Sequence, residues 1–331
     1  MEVPDYDLPE AAIAQTPVEP RDSARLLDAL DPGGQVIHRS VRDLPGLVGP
    51  GDVVVVNDSR VIPARLRLSK TSGGAAEVML LEPEGDASRV WNALVRPGRR
   101  LPPGTLLGPS GRPPVVEVGE RLADGRRRVR LLADPAEVLA SVGEVALPPY
   151  ITTPLADPNR YQTVFADRPG SVAAPTAGLH LTAELLEAIR GRGAAIHTVD
   201  LAVGLATFRP VTADRAEDHE MHSERYRVPP ITWEACRAAK RVIGIGTTTV
   251  RALETAAATG RLEGESRLFI QPGFSFSVID VLLTNFHMPR STLLLLLEAF
   301  AGPRWRSLYA AALEAGYRFL SFGDAMIVGR A

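Results

Sequence analysis

The sequence predicts an α/β fold interrupted by a β-rich insert, and three observations support this prediction. An apolar run at 52–57 has the composition of a buried strand. Short β-like stretches separated by turn residues follow it, and strand-like and helix-like segments alternate in the rest of the chain. A chain of 331 residues is also long enough to form two structural units. We therefore predict a mixed α/β domain at 1–60 and 150–331, with a second domain inserted at 61–149.

The insert is predicted from its regular series of short strands. The β-like stretches are 61–68, 76–82, 90–95, 114–118 and 126–132. Turn signals such as Ser72-Gly-Gly and Pro97-Gly separate them. Regular spacing of short strands favours either a small antiparallel barrel or a sandwich.

The remainder of the chain alternates between helix and strand. Predicted helices are 182–190, 232–241, 247–259, one that begins at Ser291, and 303–315; predicted strands are 194–201 and 242–245. Thr182 is suited to cap the first helix, and Gly260 and Gly316 are suited to end later ones. This alternation predicts a parallel or mixed sheet.

Composition excludes several classes of protein. With 45% apolar and 23% charged residues, the chain has the composition of a soluble globular protein and not of a disordered or collagen-like one. The leucine run 293–297 lies in a stretch of roughly ten apolar residues, short of the ~20 that span a bilayer, and predicts a buried helix. Nothing in the first ten residues resembles an export signal, and the single Cys236 cannot form an internal disulfide. We expect a cytoplasmic monomer.

The net charge of −2 is unevenly distributed. Residues 89–130 contain ten basic and three acidic residues, a charge of +7, so the remaining residues carry −9. Such a basic segment can dock on a phosphate backbone, or it can be the arginine-rich solvent face of a sheet. The arginines considered for nucleic-acid contact are Arg96, Arg99, Arg100, Arg126, Arg127 and Arg128.

Residues 242–251 combine an apolar strand, a glycine turn and a helix start. Gly246 would let backbone N–H groups approach an anion, with the hydroxyls of Thr247 and Thr248 as further donors and Arg251 one turn beyond. The segment lacks the Walker ending and the dinucleotide fingerprint. A tight turn with a capping threonine is the alternative interpretation.

Histidines mark two further segments. In the loop 173–180, the small residues Pro175, Thr176 and Gly178 would admit a planar ligand, and His180 is either an acid–base group or a structural residue. The segment 218–224 contains His219, His222 and Glu224. Its histidine pair could hold a metal, but no third ligand is evident, so acid–base chemistry or cation binding is preferred and no metal is expected.

Other polar residues lie where α/β sheets place their ligands. Asn57 and Arg60 follow the first strand, and Asn285 and His287 precede the helix that begins at Ser291. Asp324 adds a carboxylate. Each of these residues could instead be a helix cap or a core contact.

Together the motifs resemble the S-adenosylmethionine:tRNA ribosyltransferase-isomerase family of queuosine biosynthesis over nearly the full chain. The stretches that carry the resemblance are Tyr6-Asp-Leu-Pro-Glu, Asn57-Asp-Ser-Arg-Val-Ile-Pro-Ala-Arg65, Leu147-Pro-Pro-Tyr-Ile151, Val172-Ala-Ala-Pro-Thr-Ala-Gly-Leu-His180, Asp218-His-Glu-Met-His-Ser-Glu224, Gly246-Thr-Thr-Thr-Val-Arg251, Leu253-Glu254, Leu283-Thr-Asn-Phe-His287 and Gly323-Asp-Ala-Met326.

The resemblance implies a fold, a reaction and a set of site residues. The fold is an α/β domain with an inserted β-barrel. The reaction moves the ribosyl part of S-adenosylmethionine, a consumed substrate, to 7-aminomethyl-7-deazaguanine in tRNA, releasing adenine and methionine without a tightly bound cofactor. Catalytic candidates are His180, His219, His222, His287, Glu224 and Asp324. Substrate-binding candidates are Asn57, Arg60, Pro175, Thr176, Gly178, Gly246, Thr247, Thr248, Arg251, Glu254 and Asn285.

The chain departs from the family pattern at two positions. Where the family usually reads Leu-His-Val-Gly-x-Gly-Thr-Phe, this chain has Ala202 in place of the histidine and Ala206 in place of the second glycine. The first change removes an acid or base, and the second adds a methyl group where backbone can approach a ligand. Two alternatives therefore accompany the tRNA reaction: the same chemistry on a non-tRNA acceptor, and a catalytically silent RNA-binding protein.

Overall fold

The structure is a computed structural model that describes residues 3–85, 88–123, 125–204 and 223–331. The chain forms two compact units, the first comprising 1–60, 148–168 and 174–331 and the second comprising 61–147 and 169–173. These limits differ from the predicted ones at the two prolines 148–149 and at 169–173. The second segment joins the inserted unit because the carbonyl of Ser171 accepts a hydrogen bond from the N–H of Ile62 at 2.9 Å.

The described residues form elements with the following bounds. The strands are β1 (Arg25–Ala29), β2 (Ile37–Ser40), β3 (Asp52–Asn57), β4 (Ser59–Val61), β5 (Arg65–Lys70), β6 (Ala75–Pro83), β7 (Val90–Arg96), β8 (Leu106–Gly108), β9 (Val116–Arg121), β10 (Arg127–Leu131), β11 (Gly143–Glu144), β12 (Arg168–Ser171), β13 (Ala195–Leu201), β14 (Glu224–Arg227), β15 (Arg241–Ile245), β16 (Glu263–Ser266), β17 (Val281–Asn285) and β18 (Ala325–Gly329). The α-helices are α1 (Pro135–Val142), α2 (Ala183–Gly191), α3 (Pro230–Ala238), α4 (Thr247–Thr259), α5 (Thr292–Ala301) and α6 (Trp305–Glu314).

Among the described residues, the first unit contains a mixed nine-stranded sheet in the order β16-β14-β13-β3-β15-β17-β18-β1-β2. Its centre, β13-β3-β15-β17, is parallel. β18 is antiparallel to β17 and parallel to β1. β3 and β17 are buried along their whole lengths, as expected for the centre of a sheet covered on both faces. The prediction of a mixed α/β domain is confirmed.

Local sequence explains where the helices begin and end. The hydroxyl of Thr182 accepts a hydrogen bond from the N–H of Leu185 at 3.1 Å and caps α2 as predicted. Ser291 caps α5 in the same way. α4 occupies the predicted range and ends at Gly260, whose φ of 67° suits glycine. The prediction was wrong at the end of α3, which stops three residues early because Arg241 already belongs to β15.

The second unit contains a closed antiparallel barrel. Its sheet order is β11-β5-β6-β7-β10-β9-β8, and a further pairing of β5 with β8 closes a ring of six strands. Alternate residues of β6 and β7 are buried, so each strand contributes one face to the barrel core. The barrel that the family resemblance implied is confirmed, and the sandwich alternative is wrong.

The leucine-rich segment forms part of the core. Leu294–Leu297 are buried within α5, as predicted, and the free Cys236 is buried in α3. Within the described ranges no helix has both the length and the apolar composition needed to cross a membrane.

Candidate functional site

The carboxyl ends of the four central parallel strands lie at one edge of the first unit's sheet. β13, β3, β15 and β17 end at Leu201, Asn57, Ile245 and Asn285. β18 runs the opposite way, and the Cα of its first residue pairs with that of Asn285, so the segment preceding β18 reaches the same edge. Loops at this edge of a parallel sheet commonly bind ligands.

A cleft opens at this edge. It encloses about 670 Å³ of space, part of which is open solvent. No Asp, Glu, Lys or Arg side chain lines it among the described residues. Predicted site residues that do line it are Pro175, Thr176, Gly246, Thr247, Thr248, Asn285 and His287.

His287 is held rigidly in the cleft wall. Its backbone N–H donates to the hydroxyl of Tyr309 at 2.8 Å, and its carbonyl accepts from the hydroxyl of Tyr6. The ring Nε2 lies 3.1 Å from Oγ1 of Thr284. Burial lowers the pKa of His287 to about 3. The imidazole is therefore uncharged at neutral pH and is suited to donating or accepting a hydrogen bond.

Asn285 is oriented by the neighbouring loops. Its Oδ1 accepts a hydrogen bond from Oγ1 of Thr176 at 3.0 Å, and its Nδ2 donates to the carbonyl of Leu320 at 3.1 Å. Leu320 also lines the cleft, and its φ of 70° is uncommon for a residue with a branched side chain. The two hydrogen bonds fix the amide and join the segments around Thr176 and Leu320 at the strand end.

The first turn of α4 forms another wall. Gly246 has a φ of 87° and donates its N–H to the carbonyl of Leu283 at 2.7 Å, so the turn requires glycine. The hydroxyl of Thr249 bonds back to the carbonyl of Ile245, whereas Oγ1 of Thr248 is buried without a hydrogen-bond partner among the described residues. Thr248 lines the cleft and keeps a buried hydroxyl that no described residue uses.

Several predicted site residues instead bond to the protein's own backbone. Asn57 joins the ends of β3 and β13, since its amide bonds both the N–H and the carbonyl of Leu201. The carboxylate of Asp324 accepts from the N–H groups of Arg25 and Arg318 at 2.9 and 2.8 Å. Arg60 is exposed and donates to the carbonyl of Ala166. These side chains lie outside the cleft.

Two further candidates are packed within the first unit. Glu254 is buried in α4 and accepts hydrogen bonds from three consecutive backbone N–H groups at 277–279. Gly178 packs against Phe165, whose ring would lie 2.7 Å from an added Cβ. Both positions have structural contacts that the sequence pattern did not indicate.

His180 does not line the cleft, but its ring contacts Ala177, which does. Its Nδ1 is 3.1 Å from the carbonyl of Ala177, and its Nε2 is 2.8 Å from the carbonyl of Gly323. Burial lowers the pKa of His180, and hydrogen bonding to the two carbonyls partly opposes this shift. The ring joins the 176–180 segment to the residues that precede β18.

Glu224 and Arg251 form a buried ion pair. Nη1 of Arg251 contacts Oε2 of Glu224, and Oε1 of Glu224 accepts from the N–H of Gly204 at 3.1 Å. His219 and His222 lie outside the described residues, as does Ala206. In the part of the chain that the structure describes, no group of three or more His, Cys, Asp or Glu residues is arranged to hold a metal ion.

Sequence reasoning missed polar residues at the same edge. Tyr150 and Ser321 both line the cleft, with a distance of 2.7 Å between their oxygens, and burial raises the pKa of Tyr150 to about 12. Tyr150 lies in the motif Leu147-Pro-Pro-Tyr-Ile151, and its place in that motif could have identified it as a site residue. Asp58 and Asp200 lie at the ends of β3 and β13, where burial raises both carboxyl pKa values. No short motif links these two aspartates.

Comparison with known proteins places the chain in a family. A family model described as queuosine biosynthesis protein matches residues 2–328. The chain belongs to the queuosine biosynthesis protein family. Two relatives named S-adenosylmethionine:tRNA ribosyltransferase-isomerase come from Thermus thermophilus, at 50% identity over 99% of both chains, and Rubrobacter xylanophilus, at 49% identity over 98% of this chain and 96% of the relative.

A solved structure supports the same placement. The crystal structure of S-adenosylmethionine tRNA ribosyltransferase from Thermotoga maritima matches with a TM-score of 0.56 and 34% identity, covering 98% of this chain and 99% of that one. In this member of the queuosine biosynthesis family, Ala202 follows β13 and its N–H donates to the carbonyl of Arg225 at 3.0 Å. Ala202, where the family resemblance predicts a histidine, thus lies next to Val203, which lines the cleft.

The barrel of this family member divides its arginines into two groups. Arg126 and Arg128 pair with glutamates of the barrel, and Arg130 pairs with Glu117. Arg127 is buried and donates to the carbonyls of Gly119, Gly98 and Leu101. The other group is Arg96, Arg99 and Arg100, which are exposed and form no ion pair within the described ranges.

Proposed function

We propose that this chain transfers and isomerises the ribosyl group of S-adenosylmethionine onto 7-aminomethyl-7-deazaguanine in tRNA, forming epoxyqueuosine and releasing adenine and methionine. The proposal rests on an identity of about 50%, over nearly the full chain, to relatives named S-adenosylmethionine:tRNA ribosyltransferase-isomerase. The convergence of seven predicted residues in one cleft supports it. S-adenosylmethionine is consumed as a substrate, and the proposal requires neither a metal nor a resident cofactor.

The cleft offers chemistry that suits this reaction. The sulfonium acidifies the neighbouring ribose C–H, departing adenine benefits from protonation, and the acceptor ammonium must lose a proton before it attacks. His287 and the oriented amide of Asn285 provide uncharged hydrogen-bonding groups in this space. An uncharged imidazole can bind beside a sulfonium without repelling it, whereas a protonated one would not.

The proposal is tested by measuring adenine release. Incubation of the protein with S-adenosylmethionine and tRNA bearing the aminomethyl-deazaguanine should release adenine and add the cyclopentane mass to the RNA. Release that persists after tRNA is removed would instead indicate a small acceptor. No adenine above a no-enzyme control, with S-adenosylmethionine binding intact, would overturn the proposal, and recovery in an Ala202→His variant would assign the loss to that position.

We further propose that tRNA contacts the exposed turn at Arg96, Arg99 and Arg100. An arginine already paired with a glutamate gains less from a phosphate, because the glutamate must be displaced or left nearby. The arginines of this turn have no such competitor among the described residues. Arg126 and Arg128 are paired and Arg127 is buried, so these three predicted contacts are less suited to the role.

A pair of charge-matched variants tests this assignment. We expect Arg99→Ala/Arg100→Ala to reduce the slope of log K against log salt for tRNA binding by roughly 1.5, since each phosphate contact contributes about 0.7–0.9. Arg128→Ala/Arg130→Ala removes the same charge and should change the slope by much less. Fluorescence titration of labelled tRNA at several salt concentrations measures both. Equal slopes in the two variants would contradict the assignment.

A further inference from the structure

Arg251 has one edge of its guanidinium unoccupied. The residue is 7% exposed, and only Nη1 contacts Glu224. Nε and Nη2 are buried and have no hydrogen-bond partner among the described residues. Leaving a buried donor unpaired costs about 1–3 kcal/mol, and native proteins rarely do so without a functional reason. Two such donors on one side chain therefore indicate an acceptor that the described residues do not supply.

The free edge has the shape that binds a carboxylate. In arginine, Nε–H and Nη2–H point in the same direction and form a fork that pairs with both oxygens of one carboxylate. Glu224 does not use this fork, because it contacts Nη1 and gives its other oxygen to the N–H of Gly204. Glu224 also balances the charge of Arg251, so the fork can remain buried when no ligand is bound.

The ion pair adjoins the cleft through two neighbours. Thr248 lies three residues before Arg251, on the same face of α4, and lines the cleft; its Oγ1 is buried and has no partner among the described residues. On the other side, Val203 lines the cleft and precedes Gly204, which bonds to Glu224. The positive end of the α4 dipole also faces this wall, since α4 begins at Thr247.

We propose that the Nε/Nη2 fork of Arg251, with Oγ1 of Thr248 and the first turn of α4, binds the carboxylate of the methionyl part of S-adenosylmethionine. This inference rests on the proposed function, because that substrate carries a single carboxylate. The site selects S-adenosylmethionine over sulfonium compounds that lack the carboxylate. It also directs the methionyl end of the substrate toward the ion pair and leaves the ribose in the cleft.

The experiment compares S-adenosylmethionine with its decarboxylated analogue, which keeps the sulfonium, the ribose and the amine. Calorimetry on the full chain should show that the wild type binds S-adenosylmethionine roughly 10- to 100-fold more tightly than the analogue. Arg251→Gln should abolish this preference and leave the affinity for the analogue within about threefold of the wild-type value. The readout is a ratio of affinities, so a variant that merely loosens the fold weakens both ligands equally.

Further variants keep the test decisive if Arg251→Gln does not fold. The double variant Glu224→Gln/Arg251→Gln removes both buried charges, and Thr248→Val removes only the hydroxyl, with Thr248→Ser as its matched control. Thr248→Val should reduce the preference about threefold to tenfold, and Thr248→Ser should retain most of it. If the wild type bound both ligands with equal affinity, or if the variants weakened binding of both ligands equally, this inference would be overturned and the proposed function would still stand. Absence of any S-adenosylmethionine binding would overturn the proposed function and this inference with it.

Discussion

Replacing Glu254 by alanine should lower the free energy of unfolding by roughly 3–5 kcal/mol. The side chain is 1% exposed and is the acceptor for three backbone N–H groups, at 2.9, 3.0 and 3.0 Å. Alanine would leave these donors without their acceptor, in a segment that passes from the exposed Ser277 to the buried Ile279. Urea-induced unfolding followed by circular dichroism measures the change.

Two variants serve as controls for Glu254→Ala. Glu254→Gln keeps a carbonyl oxygen and should cost less than the alanine variant. Glu187→Ala is a matched change on α2, where the exposed glutamate forms a surface ion pair with Arg190, so it should cost less than about 1 kcal/mol. If Glu254→Ala were no more harmful than Glu187→Ala, the hydrogen bonds to 277–279 would not stabilise the fold.

Acidification should destabilise the wild type more than a His287→Gln variant. The pKa of His287 is about 3 in the folded protein, against an ordinary value near 6.5. Between these two pH values the unfolded chain binds a proton that the folded chain does not, so stability falls as the pH is lowered. Through His287 alone, the loss on moving from neutral pH to pH 4 is on the order of 3 kcal/mol.

The variant isolates this contribution because glutamine does not titrate. Burial also lowers the pKa of His180, so both proteins should lose stability in acid, but the variant should lose less. His197→Gln is the control, since burial lowers the pKa of this half-buried side chain without the near-complete enclosure of His287. Denaturant unfolding at a series of pH values between 4 and 7 measures the difference. Parallel stability curves for wild type and His287→Gln would contradict the prediction.

The sequence was most informative where local chemistry determines structure. The apolar run of β3 and the glycine at the end of α4 appear in the structure at the predicted residues. The strands β1, β17 and β18 were not predicted, although all are part of the central sheet. They are five residues long, and their pairing depends on partners that are distant in sequence, which a local pattern does not reveal.

Prediction of the site residues from the sequence was limited in a related way. Motifs at strand ends predicted Thr248, Asn285 and His287, because the topology of a parallel sheet brings such ends together. Motif membership did not distinguish a side chain that faces a ligand from one that bonds to the backbone. Glu254 and Asp324 belong to the second kind. That distinction depends on side-chain direction, which only the folded chain supplies.

The position of β18 also determines the order in which the protein can fold during synthesis. Among the described strands, β1 joins the sheet through β18, about 300 residues later in the chain, because its other neighbour is β2. The six-stranded barrel, by contrast, is formed from one continuous segment, and its strands pair with near neighbours. A ribosome-bound chain can therefore complete the barrel early. The β1–β2 hairpin must wait, unpaired along one edge, until β18 has been made.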